Sequence, residues 1–174
     1  MNCLFNGFAH LPPFMDHLTP AERSQLMSRV RGKDTAPERL VRSLIHRLGY
    51  RFRLHVRDLP GKPDLVFPRF RAAILVHGCF WHQHHCPAGD RIPKSRVAYW
   101  RAKLEGNVQR DARQRRELKQ LGWRVLVIWE CECRRHSPER LARRIIRFLE
   151  ATRRESASRK SPKKSISSQK KSLT

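Results

Sequence analysis

The chain has 174 residues, enough for one domain with a real core and short for two. Its 38 Lys and Arg against 15 Asp and Glu give a net charge of +23 and a pI near 11.4, a surface that repeated phosphates can hold. No apolar run approaches the roughly 20 residues of a membrane helix, and the N-terminal MNCLFNGFAHLPPFMDHL lacks the basic start and long apolar stretch of a secretory signal. This excludes a membrane span, disfavours secretion and points to an intracellular, nucleic-acid-facing protein.

Residues 1–18 read as an irregular arm. Thr19-Pro20-Ala21-Glu22 is a helix start of the capping-box type, with Leu26, Met27 and Val30 on one face. A second such start, Thr35-Ala36-Pro37-Glu38, opens a helix carrying Leu40, Val41, Leu44, Ile45 and Leu48 at helical spacing, with Gly49 at its stop. Tyr50, Phe52, Leu54 and Val56 alternate with polar residues, the pattern of a half-buried strand. Pro60-Gly61 is a turn. Leu65–Phe67 and Ala72–Val76 are two more strands, the second apolar on both faces.

After a stretch rich in His and Cys, residues Arg96 to Leu121 read as a helix stopped by Gly122. Trp123–Trp129 (WRVLVIW) is a buried strand, and Pro138–Glu150 a final helix with Leu141, Ile145, Phe148 and Leu149 inward. The last 24 residues, 151–174, hold eight Lys or Arg, one Glu and seven Ser. Such a segment cannot offset its ordering entropy and is expected to be a disordered basic tail. It carries +7, leaving +16 on the first 150 residues, so the basic character belongs to the folded domain at 19–150. The order α, β, β, β, α, β, α predicts an α/β sandwich around a mixed sheet.

Five cysteines (Cys3, Cys79, Cys86, Cys131, Cys133) are an odd number, suited in a reducing compartment to thiols or metal ligands. Cys79, His84 and Cys86 are three metal-ligand types within eight residues, and either Cys131 or Cys133 can supply a fourth to a tetrahedral zinc site. In Leu59-Pro60-Gly61-Lys62-Pro63-Asp64, a Pro-Gly turn feeding a strand can hold the Asp64 carboxylate at a sheet edge, where Mg²⁺ gathers phosphate oxygens and water. Lys62 beside it can contact a phosphate; the competing reading makes Asp64 a turn cap.

His77 and His82 remain as candidates for a general base on an attacking water, or as further partners of the zinc. Phe80, Trp81 and Trp100 are large aromatics in basic surroundings, suited to wedging between bases or to packing the loop on the sheet. Glu38 is the third residue of a capping box, and Asp111, within QRDARQRR, has the alternative of a helix-surface ion pair.

LPGKPDLVF, VHGCFWHQHHC, Trp100 with Asn107-Val108-Gln109-Arg110-Asp111, and LGWRVLVIWEC together resemble the very-short-patch repair (Vsr) mismatch endonucleases, from about Thr19 to Leu149. The resemblance implies a zinc-containing, restriction-endonuclease-like fold that nicks one DNA strand next to a T·G mismatch left by deamination of 5-methylcytosine. It implies Asp64 and the main-chain carbonyl of Val76 as Mg²⁺ ligands and His82 as general base, with His77, Glu38 and Asp111 supporting the site. Cys79, His84, Cys86 and Cys131 would hold zinc, leaving Cys133 and His85 without a ligand role. Phe80, Trp81 and Trp100 would enter the base stack, while Met27 of the first helix would clasp the opposite groove. Val76 stands where threonine is usual in the family, and Gln83 replaces one His of the His run.

The leading expectation is therefore a Mg²⁺-dependent, strand-nicking mismatch endonuclease, monomeric, acting on double-stranded DNA in the bacterial cytoplasm near the nucleoid, with a MutL-type repair protein as a possible recruiter. The alternatives are a related zinc-containing nuclease with another target and a zinc DNA-binding module without catalysis.

Overall fold

The computed structural model describes residues 32–158 together with Thr19, Glu22 and Gln25. Helix α1 (Ala36–Arg47) starts as its sequence dictates. Thr35 Oγ1 accepts the Glu38 N–H at 3.4 Å and donates to Glu38 Oε1 at 2.9 Å, and Pro37 occupies the first turn. Gly49, at φ +83°, takes the left-handed conformation that lets the chain leave the helix. Thr19 and Glu22 exchange the same reciprocal bonds at 2.7 and 3.3 Å. Met27, the arm at 1–18 and the tail from 159 onward lie outside the described residues.

Three strands follow: β1 (Leu65–Phe67), β2 (Ala72–His77) and β3 (Arg124–Trp129). β1 runs antiparallel to β2 with Leu65 opposite Ile74, and β2 runs parallel to β3 with His77 opposite Trp129. The parallel pair needs a long crossover, which α2 (Val97–Gln120) supplies. α3 (Glu130–Arg135) and α4 (Pro138–Ser158) complete the order.

Val41 and Ile45 of α1, Ile74 and Ile128 of the sheet, and Leu141, Ile145 and Leu149 of α4 form a core no more than 2% exposed. Strand alternation turns Ala73, Leu75 and His77 to the other face. α2 runs there against β3 with Trp100, Leu104 and Leu118 buried. The result is a mixed α/β domain, a small three-stranded sheet flanked by helices.

Four elements differ from the sequence reading. Residues 50–56 form no strand: Arg53 makes a single bridge with Val66 through two 2.8 Å hydrogen bonds. Tyr50 and Phe52 do turn inward, against Phe70 and Phe67 at 5.7 and 6.0 Å, but Leu54 is 43% exposed and His55 has φ +46°. A left-handed residue cannot continue a strand, and β1 is too short to offer a longer ladder. From Ala36 onward, among the described residues, the order is thus α, β, β, α, β, α, α.

β3 is only half-buried apart from Ile128, unlike β1, the other edge strand, which is buried throughout. The short α3 adds an element beyond those read from the sequence; Glu132 starts it by accepting the Trp129 N–H at 2.8 Å, and Glu130 and Glu132 at its start with Arg134 and Arg135 at its end suit the helix dipole. The last helix runs to Ser158, eight residues beyond Glu150 into the expected tail. Extending a helix already anchored by packing costs far less than starting one, and Ala, Arg and Glu there favour it.

Antiparallel and parallel pairing bring three chain points to one end of the sheet: the residue before β1, the loop after β2 and the start of α3 after β3. Asp64, His77 through Cys86, and Cys131 therefore meet.

Candidate active site

The edge begins with the Pro60-Gly61 turn, closed by the Lys62 N–H donating to Leu59 O at 3.0 Å. Gly61 sits against Gln114 of α2, whose Oε1 an added Cβ would approach to 2.7 Å, and its φ of +73° is the left-handed conformation that favours glycine. Lys62 is exposed and Pro63 buried. Asp64 Oδ2 accepts the Val76 N–H at 2.7 Å, tying the carboxylate to the end of β2. Burial pushes the Asp64 carboxyl up to about 6 against that hydrogen bond; the neighbouring Glu38 charge adds to the rise, and His55 and Arg42 oppose it.

Glu38 is 4% exposed. Besides its cap bonds, its Oε2 accepts the Asp34 N–H at 3.1 Å and the Arg42 guanidinium at 2.7 Å. The capping role read from sequence is present, and the same carboxylate also stands in the electrostatic neighbourhood of Asp64.

On the other face, the His77 and His82 rings stack at 3.9 Å and 12°. His82 Nδ1 is bound by the Asp111 carboxylate, reaching from α2. Asp111 is therefore no surface ion-pair partner within its basic run; it is 8% exposed and committed to an imidazole. Burial acts to raise the Asp111 carboxyl, but the bond from His82 and the charges of His82 and His77 outweigh it and hold it below the ordinary value. Burial, with the His82 charge, pushes His77 down to about 4. With Nδ1 held by a carboxylate, the His82 Nε2 is left for chemistry.

Cys79, His84, Cys86 and Cys131 place one ligand atom each within 4.8 Å of all the others. His84 Nδ1 lies 3.8 Å from Cys79 Sγ and 3.4 Å from Cys131 Sγ. In a tetrahedral zinc site, with Zn–S about 2.3 Å and Zn–N about 2.05 Å, a sulfur and a nitrogen ligand stand about 3.6 Å apart, so this donor set fits the ion. Cys133 lies outside the cluster, packed against the core, where burial pushes its thiol up to about 12. His85 is fully exposed and pairs with Asp90 at 3.3 Å.

The loop geometry demands glycine at 89, where a Cβ would stand 1.9 Å from His84 O. Gln83 laces the same loop by donating to Phe80 O at 3.2 Å and Gly89 O at 2.9 Å. Phe80, Trp81 and Trp100 form an edge-on and tilted cluster, with centroids 5.1 to 6.1 Å apart. Trp100 is 5% exposed, and the other two are half-buried.

Sequence reasoning gave no role to four residues that this edge depends on. Gln83 and Asn107 are amides whose partners are backbone carbonyls distant in sequence or across a loop, so no pattern announces them. Arg42 binds Glu38 and contacts His55; only Arg42, one helical turn after Glu38, carried a local signal.

A strongly cationic α/β domain with a buried carboxylate, a carboxylate-held imidazole and aromatics on one sheet edge has the make-up of a DNA-cleaving hydrolase. The family model for DNA mismatch endonuclease Vsr matches residues 15–88. The chain is 56% identical over 117 residues to the type II nicking enzyme V.XorIIP of Xanthomonas oryzae pv. oryzae, covering 67% of this chain and 85% of that one. It is 44% identical over 114 residues to the DNA mismatch endonuclease Vsr of Escherichia coli K12, covering 66% and 72%. The type II nicking enzyme V.NaeI of Lentzea aerocolonigenes is 42% identical over 117 residues, with 64% and 69% covered. The chain belongs to the Vsr family of DNA mismatch endonucleases and is a DNA endonuclease, a phosphodiester hydrolase. No helix among the described residues is long and apolar enough to cross a membrane.

Proposed function

We propose that this endonuclease makes a Mg²⁺-dependent nick in one strand of duplex DNA beside the T of a T·G mismatch arising from deaminated 5-methylcytosine. The observation that carries this reading is the meeting, at one edge, of Asp64 hydrogen-bonded to Val76 N and His82 bound to Asp111. One fixes a carboxylate and a strand-end carbonyl together; the other fixes an imidazole tautomer. The framework is that of a restriction-endonuclease-like sheet.

Asp64 and the Val76 carbonyl fit Mg²⁺, which typically takes one or two protein oxygens and completes its shell with water and substrate phosphate. Bound there, the ion would neutralise charge developing on the scissile phosphate. His82 Nε2 accepts a proton from the water that attacks phosphorus in line, and Asp111 stabilises the resulting imidazolium through Nδ1. His77 fixes the plane of the His82 ring, and Glu38 orients the carboxylate side. Zinc on Cys79, His84, Cys86 and Cys131 would pin the loop bearing Phe80, Trp81 and His82 to α3.

Phe80, Trp81 and Trp100 wedge beside the mismatch. A T·G wobble stacks poorly, so opening it costs less than the few kcal/mol of unstacking a matched step, and deformability selects the site before base edges are read. Lys62 grips a phosphate, and Met27 completes the clasp from the opposite groove. The enzyme acts as a monomer in the bacterial cytoplasm at the nucleoid, because one asymmetric lesion needs one active site, and a MutL-type protein is a candidate recruiter.

The test is a labelled duplex with a single T·G pair in a CTWGG context (W is A or T) and a matched control, incubated with protein and Mg²⁺ and resolved on denaturing gels. A nick beside the T, absent from the matched duplex and from Asp64→Asn, is expected. Equal cutting of matched DNA would assign another target, and binding without cleavage would make this a DNA-binding module.

A further inference from the structure

We infer that Arg42, braced by His55, is a positioning residue that fixes the Glu38 carboxylate beside Asp64 and so sets the geometry of the acidic edge. This rests on the catalytic reading of that edge. A capping glutamate ordinarily sits at the surface with one oxygen on the backbone and the other in water. Here the Glu38 side chain is 5% exposed and the Arg42 side chain 14%. Both Glu38 oxygens have protein partners: Oε1 has Thr35 Oγ1, and Oε2 has Asp34 N and Arg42.

The guanidinium is committed as thoroughly. It binds Asp34 and Glu38 and lies 3.2 Å from His55 Nε2. Its Nε is buried without a partner among the described residues, so its burial is sustained by the carboxylates rather than by full hydrogen bonding. His55 reaches it through a left-handed backbone, φ +46°, costly for a residue with a Cβ. The same distortion ends the alternating segment before it can form a strand, so local structure is given up where His55 meets Arg42.

The Glu38 charge acts to raise the Asp64 carboxyl, and His55 and Arg42 act on it in the opposite sense. Two acidic groups within reach of one another's charge repel, Glu38 being buried and Asp64 half-buried. A planar fork bound to one of them holds it in a single orientation, which a flexible ammonium cannot do.

The experiment measures single-turnover nicking of the T·G duplex at saturating Mg²⁺ by the full chain, for Arg42→Met, Arg42→Lys, Glu38→Gln and Arg42→Met/Glu38→Gln. DNA affinity and thermal unfolding are measured on the same samples. Arg42→Met is expected to slow the nick at least about tenfold, as misplacement of a group at the site does, with DNA affinity within about twofold. Arg42→Lys should recover little, and the double variant should be no slower than Glu38→Gln alone, because both remove one device.

A purely structural arginine predicts otherwise. Arg42→Met would then melt earlier yet nick at the parental rate at a temperature where it is folded, and that result overturns the inference, as would multiplicative effects in the double variant. If Arg42→Met does not fold, Arg42→Lys and His55→Asn carry the same rate test, with a loss expected in each and a parental rate overturning it. Nicking that survives Asp64→Asn marks failure of the functional reading itself.

Discussion

Asn107, midway along α2, donates its Nδ2 hydrogen to the Trp81 carbonyl at 3.0 Å, and Arg110 in turn donates to Asn107 Oδ1 at 2.7 Å. One helix face thereby touches four parts of the site: Trp100 meets the aromatics, Asn107 the loop backbone, Asp111 His82, and Gln114 the Gly61 turn. The spacing 100, 107, 111, 114 is helical, so α2 acts as a ruler along which separate loops are registered.

Asn107→Ala removes the bond to Trp81 and leaves its carbonyl partly unsatisfied. A loss of about 1 kcal/mol is expected, or roughly 2–4 °C in Tm. Nicking should fall further than this stability loss implies, because the aromatic loop is no longer registered. Thermal melts and single-turnover rates on the T·G duplex check both statements.

Zinc should bind at one ion per chain, and the cysteines should divide by position. Cys131→Ser and Gly89→Ala are expected to lose the ion, the first by removing a ligand and the second by driving a methyl group into His84 O. Cys133→Ser should keep it, because Cys133 packs outside the cluster. Metal analysis of purified variants decides this, and chelation should lower the parental Tm sharply, since binding energy in such sites is folding energy.

Asp64→Asn and Asp64→Ala should separate structure from chemistry. Asn keeps an oxygen to accept the Val76 N–H, so its stability should stay near the parent's. Ala leaves that N–H without its partner and should cost about 1–3 kcal/mol. Neither should nick. Urea unfolding beside gel assays reads the two effects apart.

The pH dependence of stability should carry the signature of Asp111. Its folded carboxyl lies below the ordinary value, so its contribution is present above the unfolded value of about 4 and is lost as pH falls through the folded one. The stability gap between the parent and Asp111→Asn should therefore be larger at pH 6 than at pH 3. An unchanged gap would sink the ion-pair account. Nicking by Asp111→Asn should fall about 10²-fold or more, as expected when a general base loses its orienting carboxylate.

Much of this protein was legible residue by residue. The Thr35/Glu38 cap, the stops at Gly49 and Gly122, the apolar run of β2 and the long helix α2 are local matters, decided by side chains within a few positions of one another. The same holds for the density of His and Cys after β2, and for the acid that follows the Pro60-Gly61 turn. What local pattern misjudged was set by neighbours distant in sequence. The segment at 50–56 alternates like a strand, but β1 offers it only one bridge, and His55, in contact with Arg42, turns to the left-handed region.

The choice of His82 as the partner of Asp111, and the exclusion of Cys133 from the thiol cluster, likewise depend on where α2 and α3 lie against the sheet. The sequence by itself determined the ligand types, the charge and most of the elements, because these depend on composition and short-range periodicity. Only the tertiary structure decided which groups face one another. Antiparallel and parallel pairing around β2 carry Asp64, the loop after His77 and Cys131 to one edge, and hydrogen bonds that act over about 3 Å then select the partners.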